Sequence, residues 1–459
     1  MYRRVSLCVV TALLLGSAVP CAALYNRLGI PDSSEIRRTV RSEWFDASVS
    51  QVREKSPVLV PNDVGTVFQV RTEETETEQF VIVAPQRKLA VDVYTEKGVH
   101  ASSIDIYPAD APGSWVLIRS RKTGEPLRVR FYFAADSGVY VQFRPFAHKV
   151  VADFVVFGAY AARGVPVGIP FEQLYSASFM EIYTLTEKTL PWSYADIVPG
   201  LYHPVLQMIA VIRENLERIA PADDAAYDEN GEPVFISSGK TRTVPASETE
   251  AGKLSVSSAG FLKWIVDGLV VPLAGSYTKI EPLKTATVEY RSGSLSDVLS
   301  SEYNLSFSLD WTRNLAAAAL SVYTGKTYYF DSSGADVISE PFSAEIGASG
   351  SVNALGYVAD TGYRIEALKP LLYVFAAEEP GRFFLGAVRQ TDAGRGELPE
   401  VRFFTECAAI FPYFDRNGAF SAAVFENGVE MTLDSFIRKY PETYVHLVRV
   451  NASERFFPQ

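Results

Sequence analysis

From Thr66 to Pro145 the chain alternates apolar and polar residues. TVFQVR, QFVIVAP, KLAVDVYT, SIDIYP, SWVLIRS, LRVRFYFA and VYVQFRP follow one another, separated by turn residues. Period two with many Val, Ile, Phe and Tyr predicts half-buried strands. Asp136-Ser137-Gly138 predicts a tight turn between the last two strands. Short strands at regular spacing predict a β-sandwich over residues 24–149. TEETETE, Thr72 to Glu78, reads as a solvated hairpin tip, because it has neither calcium-loop spacing nor a turn glycine.

Beyond Phe146 the pattern changes. The stretch from Val150 to Leu185 is denser in Ala and Gly and predicts helices or buried connections, so a boundary is placed near Lys149 and residues 150–233 form a helical connecting segment. PVLQMIAVIRENLERIA, Pro204 to Ala220, puts its apolar residues on one helix face, with Pro204 suited to the first turn. Val234 to Ser237 predicts a short strand. Asp310 to Tyr323 predicts a second helix, with Asp310 as its N-cap. Strands return in LLYVFAA, RFFLGAVR, VRFFTECAAIFPYFD and AFSAAVFENG, where Asn417-Gly418 predicts a hairpin turn. LDSFIRKY predicts a short helix and TYVHLVRV a last strand. Helices followed by an antiparallel sheet make residues 234–459 an α+β domain.

The N-terminus adds a location. Arg3 and Arg4 precede an apolar run, Val5 to Val19, and small residues follow at Cys21, Ala22 and Ala23. This is the plan of a secretory signal peptide, residues 1–23, with Leu24 as the mature N-terminus. The alternative is a lipoprotein anchored through Cys21, against which Pro20 stands at a position that favours a small, flexible residue. A periplasmic or secreted protein follows, with no transmembrane helix in the mature chain.

Charge and cysteine content narrow the chemistry. A net charge of -11 without a Lys/Arg run excludes nucleic acid as a partner. With Cys8 and Cys21 in the signal, the mature chain keeps only Cys407, so no internal disulfide forms. His100, His148, His203 and His446 lack ligand spacing and read as surface or packing residues, His446 as a half-exposed strand residue. No metal or other cofactor is expected. GASGSVNALG, Gly347 to Gly356, lacks the Lys and Ser/Thr of a phosphate loop and reads as a surface loop. The aromatic clusters RFF, IFPYF and TYYF read as packing, with a glycan groove as the alternative.

One motif carries candidate chemistry. KLSVSSAGFLKWIVDGLV, Lys253 to Val270, opens a buried helix whose first turn reads Ser257-Ser258-Ala259-Gly260-Phe261. It resembles the Asp-Cys-Ser-Gly-Phe turn of the NlpC family of papain-like cysteine peptidases, which cleave peptide bonds in bacterial cell walls. Cys407-Ala408-Ala409-Ile410, followed by the strand Ala419 to Glu426, is similar to the family's His-Val-Gly-Ile strand and hairpin. The resemblance covers roughly Val234 to Val450. It implies a papain-like fold, a nucleophile position at Ser258, a base position at Cys407, and a binding groove beside Ser257, Gly260 and Phe261. Both reactive groups depart from the family. A serine hydroxyl without a base is a poor nucleophile, and a thiol is a poor substitute for imidazole. Ser258 also reads simply as a helix cap. The resemblance therefore implies an exported, inactive envelope protein that binds cell-wall peptide, glycan or another protein. The alternatives are an active peptidoglycan hydrolase with an unrecognised base and a purely structural envelope component.

Overall fold

The computed structural model describes residues 30–95, 98–247, 251–288, 305–347, 351–353, 355–392 and 401–459. The signal sequence lies outside the described residues. The α+β class holds: an antiparallel ten-stranded sheet dominates the first half, and helices with an antiparallel six-stranded sheet make the second.

The seven alternating stretches form strands β2 (Val67–Glu74), β3 (Glu78–Pro85), β4 (Arg87–Thr95), β5 (Gly98–Ile106), β6 (Trp115–Ser120), β7 (Pro126–Phe131) and β8 (Val139–Phe146), and a strand outside them, β1 (Val58–Pro61), precedes them. β4 and β5 pair only with each other. The rest join one continuous ladder, where two facing sheets were expected. Its order is β1-β2-β3-β6-β7-β8-β9-β10-β15-β16, with β9 (Lys149–Val156), β10 (Ala159–Val167), β15 (Glu345–Ile346) and β16 (Val352–Asn353). The expected boundary thus falls inside the sheet, since Lys149 opens a strand and pairs with Phe146. Val150 to Val167 is a hairpin, not a helix. Its turn is Phe157-Gly158, both at positive φ (45° and 84°). Phenylalanine rarely adopts that conformation, so the turn carries no sequence signal.

Helices cover the apolar face of this sheet. α1 (Ser34–Val40) and α2 (Phe179–Thr186) pack there, both capped by serine, at Ser33 and Ser178. Phe179 meets Trp115, Phe131 and Phe133 edge-on, and the buried Arg37 guanidinium lies 4.0 Å over the Trp115 ring. Period two is visible in the sheet because each strand has one face on this core: Val81 and Val83 point into it, while Ile82 and Ala84 join a smaller cluster on the opposite face.

α3 (His203–Asn215) begins where expected, with Pro204 in its first turn, but ends before Ala220, because Ile219–Pro221 is a strand, β11. It leads through β12 (Ala225–Tyr227), β13 (Pro233–Phe235) and β14 (Leu254–Val256) to α4 (Ser258–Ala274). α5 (Phe307–Thr324) starts one turn before Asp310. Asp310 is not its cap: the buried carboxylate accepts from Thr287 N and Oγ1, both at 2.7 Å. The second sheet runs β17-β22-β18-β19-β20-β21, with β17 (Tyr363–Arg364), β18 (Arg382–Asp392), β19 (Val401–Phe414), β20 (Phe420–Glu426), β21 (Val429–Thr432) and β22 (Tyr444–Asn451). The expected strand at LLYVFAA is instead helix α6 (Leu368–Glu378), and LDSFIRKY forms α7 (Leu433–Lys439).

Successive residues of this sheet face opposite cores. Phe383, Leu385, Cys407, Ala409 and Val448 pack with α4 and α5, whereas Phe384, Ala408, Ile410 and Leu447 pack with α6 and the core of the first sheet. α6 ties the halves together: Tyr373 Oη donates to Tyr194 O at 2.7 Å, and Tyr202 Oη donates to Ala376 O at 2.9 Å. No helix among the described residues is long and apolar enough to cross a membrane.

Candidate functional site

The first turn of α4 is fixed by its neighbours. Ser257, with extended backbone, is the N-cap: its Oγ accepts from Gly260 N at 3.2 Å. The same hydroxyl donates to Ala225 O at 3.1 Å, and Ser257 N donates to that carbonyl at 2.9 Å. β12 therefore lies directly on the helix start. A Cβ on residue 260 would come within 2.1 Å of Ala225 O, which explains a glycine there. Phe261 is fully buried and stacks on Trp264. Of the three residues expected to line a binding groove, Ser257 caps the helix, Phe261 is packed in the core, and Gly260 seats the helix on β12.

Ser258, the first residue of α4, is half-buried and turns toward β19. Its hydroxyl and that of Ser308 face the Cys407 thiol, so the structure brings the two family-matched positions together although they lie far apart in sequence. Cys407 is completely buried, and burial pushes its thiol up to about 12. A thiol held there stays protonated at neutral pH and is neither a nucleophile nor a base. The pair supplies no proton acceptor for the Ser258 hydroxyl.

The imidazole nearest in topology lies across the sheet. Register pairs Cys407 with Ala387, and Ala387 with His446, so all three share one row and one face. β22 runs beside β18, not beside β19, and a strand separates His446 from Cys407. His446 is fully buried, not half-exposed. Its Nε2 lies 3.3 Å from Arg313 Nη2, 3.2 Å from Tyr357 Oη and 3.4 Å from Asp336 Oδ2, while Nδ1 is buried without a partner.

Arg313, on α5, is the hub of this second cluster. Its guanidinium is 3% exposed and donates to Asp336 Oδ2 at 2.7 Å, Asp360 Oδ1 at 2.8 Å and Thr287 Oγ1 at 3.1 Å. Burial holds His446 below its usual range and so neutral. Burial also works against the Asp336 charge, but the contacts to His446 and Arg313 outweigh it and hold that carboxylate at about 2. Burial raises Asp310, which faces Thr287 from the same helix. Sequence patterning did not single out Arg313, Asp336, Asp360 or Tyr357. The one signal was an arginine amid the apolar run of α5, on a face that has to be buried.

The other expected positions are placed plainly. His100, His148 and His203 are exposed. Among the described residues, no three His, Cys, Asp or Glu side chains gather as a metal-ligand set. Phe383, Phe384, Phe411 and Phe414, from the aromatic clusters, are buried packing residues, whereas Tyr329 is exposed.

Residues 26–194 match a family described as a domain of unknown function (DUF8515). The match spans β1 to β10 and the helical cover of the first sheet, and ends at Tyr194, whose ring meets Phe154 of β9 edge-on. Neither the curated proteins nor the solved structures gave a match.

Proposed function

We propose that residues 234–459 form a degenerate NlpC-type papain-like domain, and that the protein is an exported envelope component that binds cell-wall peptide, glycan or a protein partner without cleaving it. One observation carries the reading. Ser258, at the start of a buried helix, meets Cys407 on an inner strand of an antiparallel sheet, which is the relation the resemblance requires of a nucleophile and its base. The two positions were matched from separate motifs, so their meeting supports the alignment of both. The chemistry then argues for binding. A helix N-terminus favours negative charge and helps a thiolate form, but it does not ionise an alcohol at neutral pH. The residue opposite is a buried, protonated thiol. The imidazole on the same face is engaged with Asp336, Arg313 and Tyr357.

The test is titration of the full chain with purified peptidoglycan fragments, with the products examined by mass. Binding without product supports the reading. Neither binding nor product favours a structural component. Product that disappears in Ser258→Ala favours the active hydrolase and overturns the assignment.

A further inference from the structure

The ends of α4 and α5 and the end of β22 enclose a cavity of about 500 Å³, far along α4 from Ser258. Its buried apolar lining is aliphatic: Leu269, Val270, Ala319, Leu320 and Val450 contribute, and the exposed side chains of Leu273 and Tyr323 also border it. Three guanidiniums, from Arg382, Arg449 and Arg455, line the same cavity with a single carboxylate, Glu379. Glu379 sits 2.9 Å from Arg382 and 3.3 Å from Arg449. Both ion pairs share the one oxygen Glu379 Oε2, and Arg449 Nη1 donates to Gly334 O and Asp336 O, both at 3.2 Å. In a chain of net charge -11, this concentration of arginine is local and distinct. The carbonyl ends of α4 and α5 each add about half a negative charge nearby, less than the two guanidiniums that Glu379 leaves uncompensated.

We propose that this cavity binds a long-chain fatty acid, with the acyl chain on the aliphatic floor and the carboxylate among Arg382, Arg449 and Arg455. The volume lies in the range of sites for small organic molecules. An aliphatic floor suits a polymethylene chain better than a sugar, which prefers an aromatic face and many hydrogen-bond partners. Guanidinium matches a carboxylate with two parallel hydrogen bonds, and three guanidiniums share the single Glu379 carboxylate along this lining. The proposal is independent of the role assigned to Ser258 and Cys407.

The test is calorimetric titration of the full chain with dodecanoate below its micelle concentration, beside dodecyltrimethylammonium and dodecanol. Saturable one-to-one binding of dodecanoate is expected, weakened by salt and about tenfold or more tighter than the ammonium. Ala319→Phe fills the floor and abolishes binding. Arg455→Glu, at an exposed position with little bearing on folding, weakens it about tenfold. Absent or non-saturable dodecanoate binding overturns the proposal. So does equal binding of the ammonium, or dodecanoate binding unchanged in both variants.

Discussion

Two polar places share the helix-facing side of the second sheet and differ in almost every respect. Ser258 and Cys407 form a sparse pair of neutral groups on an apolar background. One strand away, Arg313, Asp336, Asp360, His446 and Tyr357 are densely charged and mutually bonded. Where the resemblance places chemistry, the ionisable groups are missing. Where ionisable groups gather, each is held by the others. Burial alone does not mark a reactive site. A buried charge has to be matched by partners to be tolerated at all, and partners that match it completely leave nothing for a substrate.

The comparison breaks most visibly at Arg313. Arg313→Met strands two carboxylates around a neutral side chain and is expected to cost about 3 kcal/mol, the low end for a broken buried pair because Asp360 is half exposed. Thermal or denaturant unfolding measures it, and a loss well under 1 kcal/mol would show that the cluster is not a unit. Gly260→Ala follows. Its Cβ meets the Ala225 carbonyl, so β12 or the helix has to shift, at about 2 kcal/mol.

The acid limb of the stability curve sharpens the contrast. His446 is held below its ordinary pKa, so the unfolded chain takes up its proton first. Stability from the neutral ring is fully present above about 6.5 and declines as pH falls below it. Asp336, held at about 2, contributes stability above about 4 that is lost as pH falls toward 2. His446→Gln should flatten the first window and Asp336→Asn the second. No change in slope for either variant would contradict the assigned protonation states.

The smallest effects lie at the helix start, where two adjacent serines differ. Ser257→Ala removes the N-cap and costs about 1 kcal/mol, whereas Ser258→Ala loses only its contact to the thiol and costs less than half of that. The reverse order would make Ser258 the cap.

Much of this was legible in the sequence, for identifiable reasons. Strands with one face on a core write alternation into the chain, so β2 through β8 are readable one by one. Alternation does not say how strands close, and the single ladder with its β15 and β16 extension was out of reach. β9 and β10 were missed because their run is dense in Val, Ala and Gly without regular alternation and is joined at Phe157-Gly158. α6, buried on nearly all sides, reads as a strand for the same reason: without a polar face neither period shows. At the candidate site, the motifs pointed to a serine cap, which the structure places at Ser257 and not at Ser258, and they singled out Ser258 and Cys407, which lie side by side. The Arg313 cluster did not, because its members come from α5, two loops and β22, and only the fold assembles them.

The central proposal is that this helix start binds without cleaving. Incubating the native full chain with purified peptidoglycan and analysing the soluble products by mass tests it most directly. Cys407, buried and protonated, leaves Ser258 without a base, so no cleaved stem peptide should accumulate over untreated peptidoglycan. Robust release of cleaved stem peptides, abolished by Ser258→Ala in a protein that still unfolds like the wild type, would contradict the account.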